Sequence, residues 1–146
     1  METQLTPTWQ VTNLDDAHRV ERADYQGKPT LAIFFNIGCH GCMARGLPVA
    51  QNIKEQYPEI NVVGIHSSFG AIGRDPEQVK TELKSYDLSF PILLDDGHVT
   101  YDAYQADGTP HWILLDENGQ VQKSIFGSMP NALQRLEYSL IELFEH

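Results

Sequence analysis

Residues 31–42, LAIFFNIGCHGC, decide the fold of this chain. Residues 31–35 are all apolar, a run typical of a buried strand. Cys39 and Cys42, three positions apart, are the chain's only 2 cysteines and follow that run closely. A strand that delivers such a pair to the start of a helix is the arrangement that dithiol and disulfide chemistry requires.

The two cysteines should differ in reactivity. Unpaired N–H groups and the macrodipole at a helix N-terminus favour negative charge, so we expect the Cys39 thiolate to be stabilised there. Thiolate is the nucleophile in disulfide exchange. We therefore predict that Cys39 attacks a partner disulfide, and that Cys42, one turn inside the helix, resolves the mixed disulfide.

Length and charge limit the class of protein. The chain has 146 residues, 41% of them hydrophobic, which suffices for a single globular domain over residues 1–146 without a structural metal or disulfide. The 10 Lys and Arg against 20 Asp and Glu give a net charge of −10. That charge argues against nucleic acid or an anionic membrane as a partner.

The location expected from the sequence is cytoplasmic. No apolar run approaches the roughly 20 residues of a membrane span, and the first residues, METQLTP, lack the features of a secretion signal. In a reducing compartment, two cysteines at this spacing are typical of catalysis or metal binding rather than of a structural bridge. A periplasmic location is the alternative if the sequence is part of a longer chain.

Apolar runs and turn signals predict the order of elements. A hairpin around residues 9–11 and Val20 precedes a strand at 30–36. The helix from near Cys39 to Gln56 contains Pro48, which should kink it. The later elements are predicted as a strand at 61–66, a helix at 76–86, a strand at 91–94, a helix at 99–104, a strand hairpin at 111–115 and 121–126, and an amphipathic helix from Pro130. This order indicates an α/β fold whose central mixed sheet is flanked by helices.

The chain resembles the thioredoxin superfamily, in particular its redoxin or TlpA-like branch of thiol-disulfide proteins. The segments that carry the resemblance are GKPTL at 27–31, CHGC at 39–42, GTP at 108–110 and ILLDENG at 113–119. The helix and strand at 76–94 look like the inserted unit of that branch. Pro48 lies six residues after Cys42, a spacing that is similar to that of some redoxin-like relatives and implies a bulged helix turn. The resemblance implies a thioredoxin-like fold in which Pro110 is cis and faces the cysteines, while the backbone of Thr109 pairs with the substrate.

Several positions depart from the superfamily pattern. Gly38 stands where a tryptophan is usual, so an aromatic platform for partner docking is missing there. No proline lies between the cysteines, and a protonated His40 would favour the thiolate. Ile33 and Arg45 stand where relatives carry acids, and Arg45 is a second candidate for stabilising the thiolate. The proton acceptor for Cys42 is not identifiable.

Two histidines and two tryptophans are predicted to have structural roles. His66 and His111 stand at the ends of predicted strands that approach the site, where a histidine is more often structural than catalytic. Trp9 and Trp112 are expected to pack in the core or at its edge.

The sequence favours a thiol-disulfide oxidoreductase that reduces protein or small-molecule disulfides and is recycled by a thiol reductase. No cofactor or bound metal is expected. The site residues predicted are Cys39 and Cys42 for catalysis, Thr109 and Pro110 for substrate binding, and His40 and Arg45 for tuning.

Two other functions stay open. A thiol peroxidase of this fold has Pro-x-x-x-Thr/Ser-x-x-Cys, whereas Asn36 stands at the Thr/Ser position. A non-enzymatic module could instead hold copper(I) or zinc with both cysteines and a histidine.

Overall fold

A computed structural model describes residues 7–144 of the chain. Its strands are β1 (Val11–Asn13), β2 (Arg19–Val20), β3 (Thr30–Phe35), β4 (Asn61–His66), β5 (Ile92–Asp95), β6 (His111–Leu115) and β7 (Val121–Phe126). Its α-helices are α1 (Leu47–Gln56), α2 (Pro76–Leu83), α3 (Val99–Ala103) and α4 (Pro130–Phe144), with a 3₁₀ turn at Arg22–Tyr25 and a π-helical turn at Cys42–Gly46.

The strands form one mixed sheet in the order β2-β1-β5-β4-β3-β6-β7. β4 runs parallel to β3 and β5, while β6 is antiparallel to β3, and β1 pairs with β2 as the predicted hairpin. Phe35 lies opposite His66, and Phe34 lies opposite His111. The ends of β3 and β4 and the start of β6 therefore meet at one edge of the sheet. The predicted α/β fold with a mixed sheet and flanking helices is confirmed.

The sheet carries a hydrophobic core on each face. All six residues of β3 are buried, and alternate residues join different clusters, as the two-residue period of a strand requires. Trp9 and Trp112 are 0% and 1% exposed, which confirms that they are core residues. Each indole is satisfied, because Trp9 Nε1 donates to Tyr104 Oη (2.7 Å) and Trp112 Nε1 donates to the Gly127 carbonyl (2.9 Å).

The helix that carries the cysteines contains the predicted bulged turn. Helical residues begin at His40, and the turn Cys42–Gly46 is π-helical, with the Leu47 N–H donating to the Cys42 carbonyl. Pro48 follows at once, and it has no N–H to donate within the helix. The wide turn thus accommodates a proline inside a continuous helix.

Several predicted boundaries were wrong. β3 ends at Phe35 and α3 at Ala103, each one residue early, and β5 ends at Asp95, one residue late. α2 ends at Leu83 instead of Tyr86, and Tyr86 Oη donates to the Met43 carbonyl in the π-helical turn (2.7 Å). The Tyr86 N–H donates to the Leu83 carbonyl (3.0 Å), three residues back, so the chain turns here and does not continue the α-helix. β5 begins at Ile92 because Pro91 has no N–H for the strand ladder.

Candidate active site

Three chain segments converge beside Cys39. Residues 36–38 leave β3 and lead into the helix, the segment 107–110 leads into β6, and the loop 67–75 leaves β4. The Thr109–Pro110 peptide bond is cis. Since β3, β4 and β6 are neighbours in the sheet, the strand order itself brings the three segments together.

The two sulfurs occupy different environments. Cys39 is partly exposed, whereas Cys42 is 0% exposed, and both are free thiols. The Cys42 N–H donates to Cys39 Sγ (3.2 Å), and the Cys39 thiol donates to the Thr109 carbonyl (3.3 Å). Cys39 Sγ is thus solvent-accessible and receives a backbone N–H near the start of the helix.

Cys42 is held as a neutral thiol. Burial, together with the hydrogen bond with the Cys39 sulfur, raises the pKa of Cys42 to about 12. A thiol with that pKa is protonated at neutral pH and does not attack an incoming disulfide. Of the two sulfurs, only that of Cys39 is both accessible and bonded to a backbone N–H, while Cys42 is a buried, protonated thiol.

The two predicted tuning residues lie in different places. His40 is exposed, and its ring makes no hydrogen bond within residues 7–144. Arg45 is also exposed, and its guanidinium donates to Met129 Sδ (3.4 Å). The structure brings Thr109 to the cysteines and turns Arg45 toward Met129.

His66 supports the backbone of the cysteine loop. The sequence predicted that a histidine at this strand end is more often structural than catalytic. It is 1% exposed, and its Nε2 accepts from the Ile37 N–H (3.1 Å), two residues before Cys39. Its Nδ1 carries the proton and has no partner within residues 7–144. Burial lowers the pKa of His66 to about 4, so the ring is neutral at physiological pH.

Asn36 completes the support of this loop. Its amide nitrogen donates to the Ser67 carbonyl (2.8 Å), and its Oδ1 accepts from the Gly38 N–H (2.7 Å). The parallel register of Phe35 with His66 is the signal that would have placed His66 and Ser67 under the cysteine loop.

His111 plays the corresponding part for the segment before Pro110. Its Nδ1 accepts from the Asp107 N–H (3.3 Å), and its Nε2 donates to Ser124 Oγ (2.7 Å). Burial lowers the pKa of His111, which keeps the ring neutral and able to accept. Both histidines that stand at strand ends thus hold the backbone of the site.

An open groove of about 390 Å³ lies against Cys39. Its lining comes from all three converging segments: Asn36, Gly38, Cys39, Phe69, Gly70, Ala71, Ile72 and Thr109. Phe69 and Ile72 are 52% and 54% exposed. Sequence reasoning missed both, because they lie in a loop with no periodic pattern.

The described part of the chain holds neither a cluster of metal-binding side chains nor a membrane-spanning helix. Within residues 7–144, no group of three or more His, Cys, Asp or Glu side chains is arranged to hold a metal ion. None of the helices in that range is both long and apolar enough to cross a bilayer.

Curated relatives of this chain include thiol-disulfide proteins of Bacillus subtilis. The thiol-disulfide oxidoreductase YkuV is 30% identical over 96 residues, which cover 65% of this chain and 64% of that protein. The thiol-disulfide oxidoreductase ResA is 28% identical over 115 residues, covering 79% of this chain and 62% of ResA. The chain therefore spans a little under two thirds of the length of these two relatives.

The fold and the family agree with these similarities. A thiol-disulfide isomerase from Corynebacterium glutamicum superposes with a TM-score of 0.78 at 26% identity, covering 97% of both chains. The model of the AhpC/TSA family matches residues 3–124, most of the sequence. On this match, and with a thioredoxin-like fold that places a C-x-x-C pair at the sheet edge, the chain belongs to the AhpC/TSA family.

Proposed function

We propose that this protein is a thiol-disulfide oxidoreductase, acting as one thioredoxin-like domain over residues 1–146. The observation that carries the proposal is the inequality of the two sulfurs. Cys39 is accessible and receives a backbone hydrogen bond, whereas Cys42 is fully buried with a pKa near 12. One nucleophile and one protected resolving thiol are what a two-step exchange requires.

The reaction balances as two thiol-disulfide exchanges. The Cys39 thiolate attacks one sulfur of the substrate disulfide, which forms a mixed disulfide and releases the other sulfur as a thiolate that takes up a proton. Cys42 then loses its proton and attacks Cys39 Sγ, which releases the second substrate thiolate. The substrate gains two electrons, and the protein is left with a Cys39–Cys42 disulfide.

The mixed disulfide itself activates Cys42. Two of the causes that raise the Cys42 pKa come from Cys39, namely its hydrogen bond and its charge. Both vanish once Cys39 is bonded to the substrate, since that sulfur is then neither a thiol nor a thiolate. Cys42 therefore ionises more easily at the step in which it must attack.

Thr109 and Pro110 are proposed to form the substrate side of the site. Thr109 lines the groove, and its carbonyl accepts from the Cys39 thiol (3.3 Å). When Cys39 ionises or becomes disulfide-bonded, that carbonyl loses its donor and is left for a substrate N–H. Pro110 is buried behind it, with its own carbonyl bonded to the Gly127 N–H (2.8 Å).

The proposed direction is reduction of disulfides. The chain holds a single cysteine pair and no others for a structural bridge, which suits a reducing compartment. A cytoplasmic location stays a prediction, as does the dithiol reductase that would return the Cys39–Cys42 disulfide to the dithiol.

The test uses the two single serine variants with bis(2-hydroxyethyl) disulfide. Cys42→Ser should accumulate a mixed disulfide that intact-mass measurement detects as one added mercaptoethanol, and Cys39→Ser should accumulate none. Wild-type protein with excess dithiothreitol should turn over the same compound. Trapping on Cys39→Ser, or equal trapping on both variants, would refute the roles.

The other two functions find less support at this site. The Asn36 side chain, at the Thr/Ser position of a peroxidatic motif, is bonded to Ser67 and Gly38. Peroxide consumption with dithiothreitol as reductant measures that alternative directly. A metal-handling role would show as one copper(I) or zinc ion per chain that blocks disulfide reduction.

A further inference from the structure

The loop 67–75 places two large apolar side chains beside the nucleophile. Phe69 and Ile72 are 52% and 54% exposed, and both line the groove that contains Cys39. Exposed apolar groups of this size, concentrated at a reactive atom, are typical of a binding surface. A disulfide bound in this groove would contact both side chains.

The Phe69 ring is held in place although it is exposed. It stacks on His98 (centroids 4.9 Å apart, interplanar angle 18°) and meets the edge of Tyr101 (4.7 Å, 76°). His98 is fixed in turn, because its Nδ1 donates to the Asp102 carboxylate (2.7 Å). An aromatic side chain oriented before binding loses little conformational entropy when a partner covers it.

The backbone of the loop is tied down on both sides. The Ser68 N–H donates to the Gly97 carbonyl (2.8 Å), and Ser68 Oγ donates to the Gly73 carbonyl (3.1 Å). The Gly73 N–H donates to Gln78 Oε1 on α2 (2.9 Å). These hydrogen bonds fix the backbone of the loop that carries Phe69 and Ile72.

The groove is uncharged within a strongly acidic protein. Apart from Cys39, none of the lining residues has an ionisable side chain, while the chain carries a net charge of −10. An acidic substrate segment would meet both an apolar wall and an unfavourable overall field. An apolar segment, neutral or basic outside the groove, complements this surface.

We propose that Phe69 and Ile72 form an apolar side-chain subsite that selects protein disulfides whose cysteine lies next to a large aliphatic or aromatic residue. The inference rests on the proposed exchange at Cys39. The subsite defines the class of substrate. We expect the protein to prefer an extended protein segment with an apolar residue beside its cysteine over small disulfides and over acidic peptides.

The test compares two peptides and one small disulfide. The peptides are identical except for Leu or Asp beside a single cysteine, which is bonded to 2-nitro-5-thiobenzoate so that release is followed by absorbance. Bis(2-hydroxyethyl) disulfide serves as the compound without a side chain. Wild-type protein should show kcat/KM about tenfold higher for the Leu peptide than for the Asp peptide.

The variants locate the preference. The quantity compared is kcat/KM for the Leu peptide divided by kcat/KM for the small disulfide. Phe69→Ala and Ile72→Ala should each lower this ratio by about tenfold. Phe69→Leu should keep most of the wild-type ratio. Tyr138→Ala is the matched control, because Tyr138 is 61% exposed on α4 and outside the groove. That variant should keep the wild-type ratio.

Three results would overturn the subsite. An unchanged ratio in both alanine variants, or equal wild-type rates for the two peptides, refutes it and leaves the oxidoreductase intact. A wild-type dimer that Phe69→Ala converts to a monomer would show that a second copy covers this wall. Failure of wild-type protein to reduce even the small disulfide would instead refute the proposed function.

Discussion

His66 offers a direct measurement of how the site is held together. Its pKa falls from an ordinary 6.5 to about 4 in the folded protein because the ring is buried. As the pH falls, the unfolded chain therefore binds the proton first. The stabilisation is complete above pH 6.5 and is lost progressively as the pH falls toward about 4.

The size of the effect follows from the two pKa values. The interval from 6.5 to about 4, at about 1.4 kcal/mol per pH unit, gives about 3 kcal/mol for the full titration. Between pH 7 and pH 4.5 most of this should disappear from the free energy of unfolding. Carboxylates also titrate in this range, so the wild-type protein must be compared with a variant that lacks the imidazole.

His66→Gln is that variant, because the glutamine side-chain oxygen can still accept from the Ile37 N–H but does not titrate. Urea unfolding at pH 7 and at pH 4.5 measures both proteins. The wild type should lose about 2 to 3 kcal/mol more than the variant between these pH values. His40→Gln, which removes an exposed ring without a hydrogen-bond partner in residues 7–144, is the control and should follow the wild type.

Parallel losses in the wild type and His66→Gln would refute the reasoning, since they would mean that His66 is not held neutral by burial. His66→Leu adds a second measurement. It leaves the Ile37 N–H without an acceptor, which should cost about 1 to 3 kcal/mol at pH 7. If this loop positions the nucleophile, the variant should also alkylate more slowly at Cys39.

Substitutions at three other positions test separate parts of the structure. Gly73→Ala should lower the free energy of unfolding by about 2 kcal/mol or more, because position 73 has φ +83° and a Cβ there would collide with the His66 ring; wild-type stability in urea would contradict this. Asp75→Ala removes the N-cap of α2 and should cost about 1 kcal/mol in the same assay, whereas Asp75→Asn should cost much less. The redox potential of the cysteine couple, titrated against glutathione, should lie above about −270 mV, and His40→Ala should lower it; an unchanged value would leave His40 without a tuning role.

Local signals were enough for much of the fold. The bounds of β4, β6 and β7 match the sequence prediction because β4 and β6 are largely apolar runs closed by turn residues, and β7 follows β6 across the hairpin turn at 116–119. The end of α2 was mispredicted because the Tyr86 hydroxyl bonds to the Met43 carbonyl 43 residues earlier in the chain. No pattern within α2 could have indicated that contact.

The same distinction applies to the site. Cys39 and Cys42 are visible in the sequence because their spacing is local and their chemistry is specific to cysteine. The role of His66 depends on a parallel register with Phe35. The role of Phe69 depends on stacking against His98, which lies on the far side of α2 and β5 in the chain. Such residues become functional only when the sheet has assembled.

Gly38 connects the sequence with the proposed subsite. A Cβ at position 38 would lie 3.3 Å from Ile72 Cγ2 and 3.1 Å from Asn36 Oδ1, so a large side chain there would compete for space with the loop 67–75. An aromatic residue before Cys39 and an apolar wall from this loop are therefore alternative ways to cover the same side of the nucleophile. The absence of a side chain at Gly38 thus leaves room for Ile72, one of the two residues of the proposed wall.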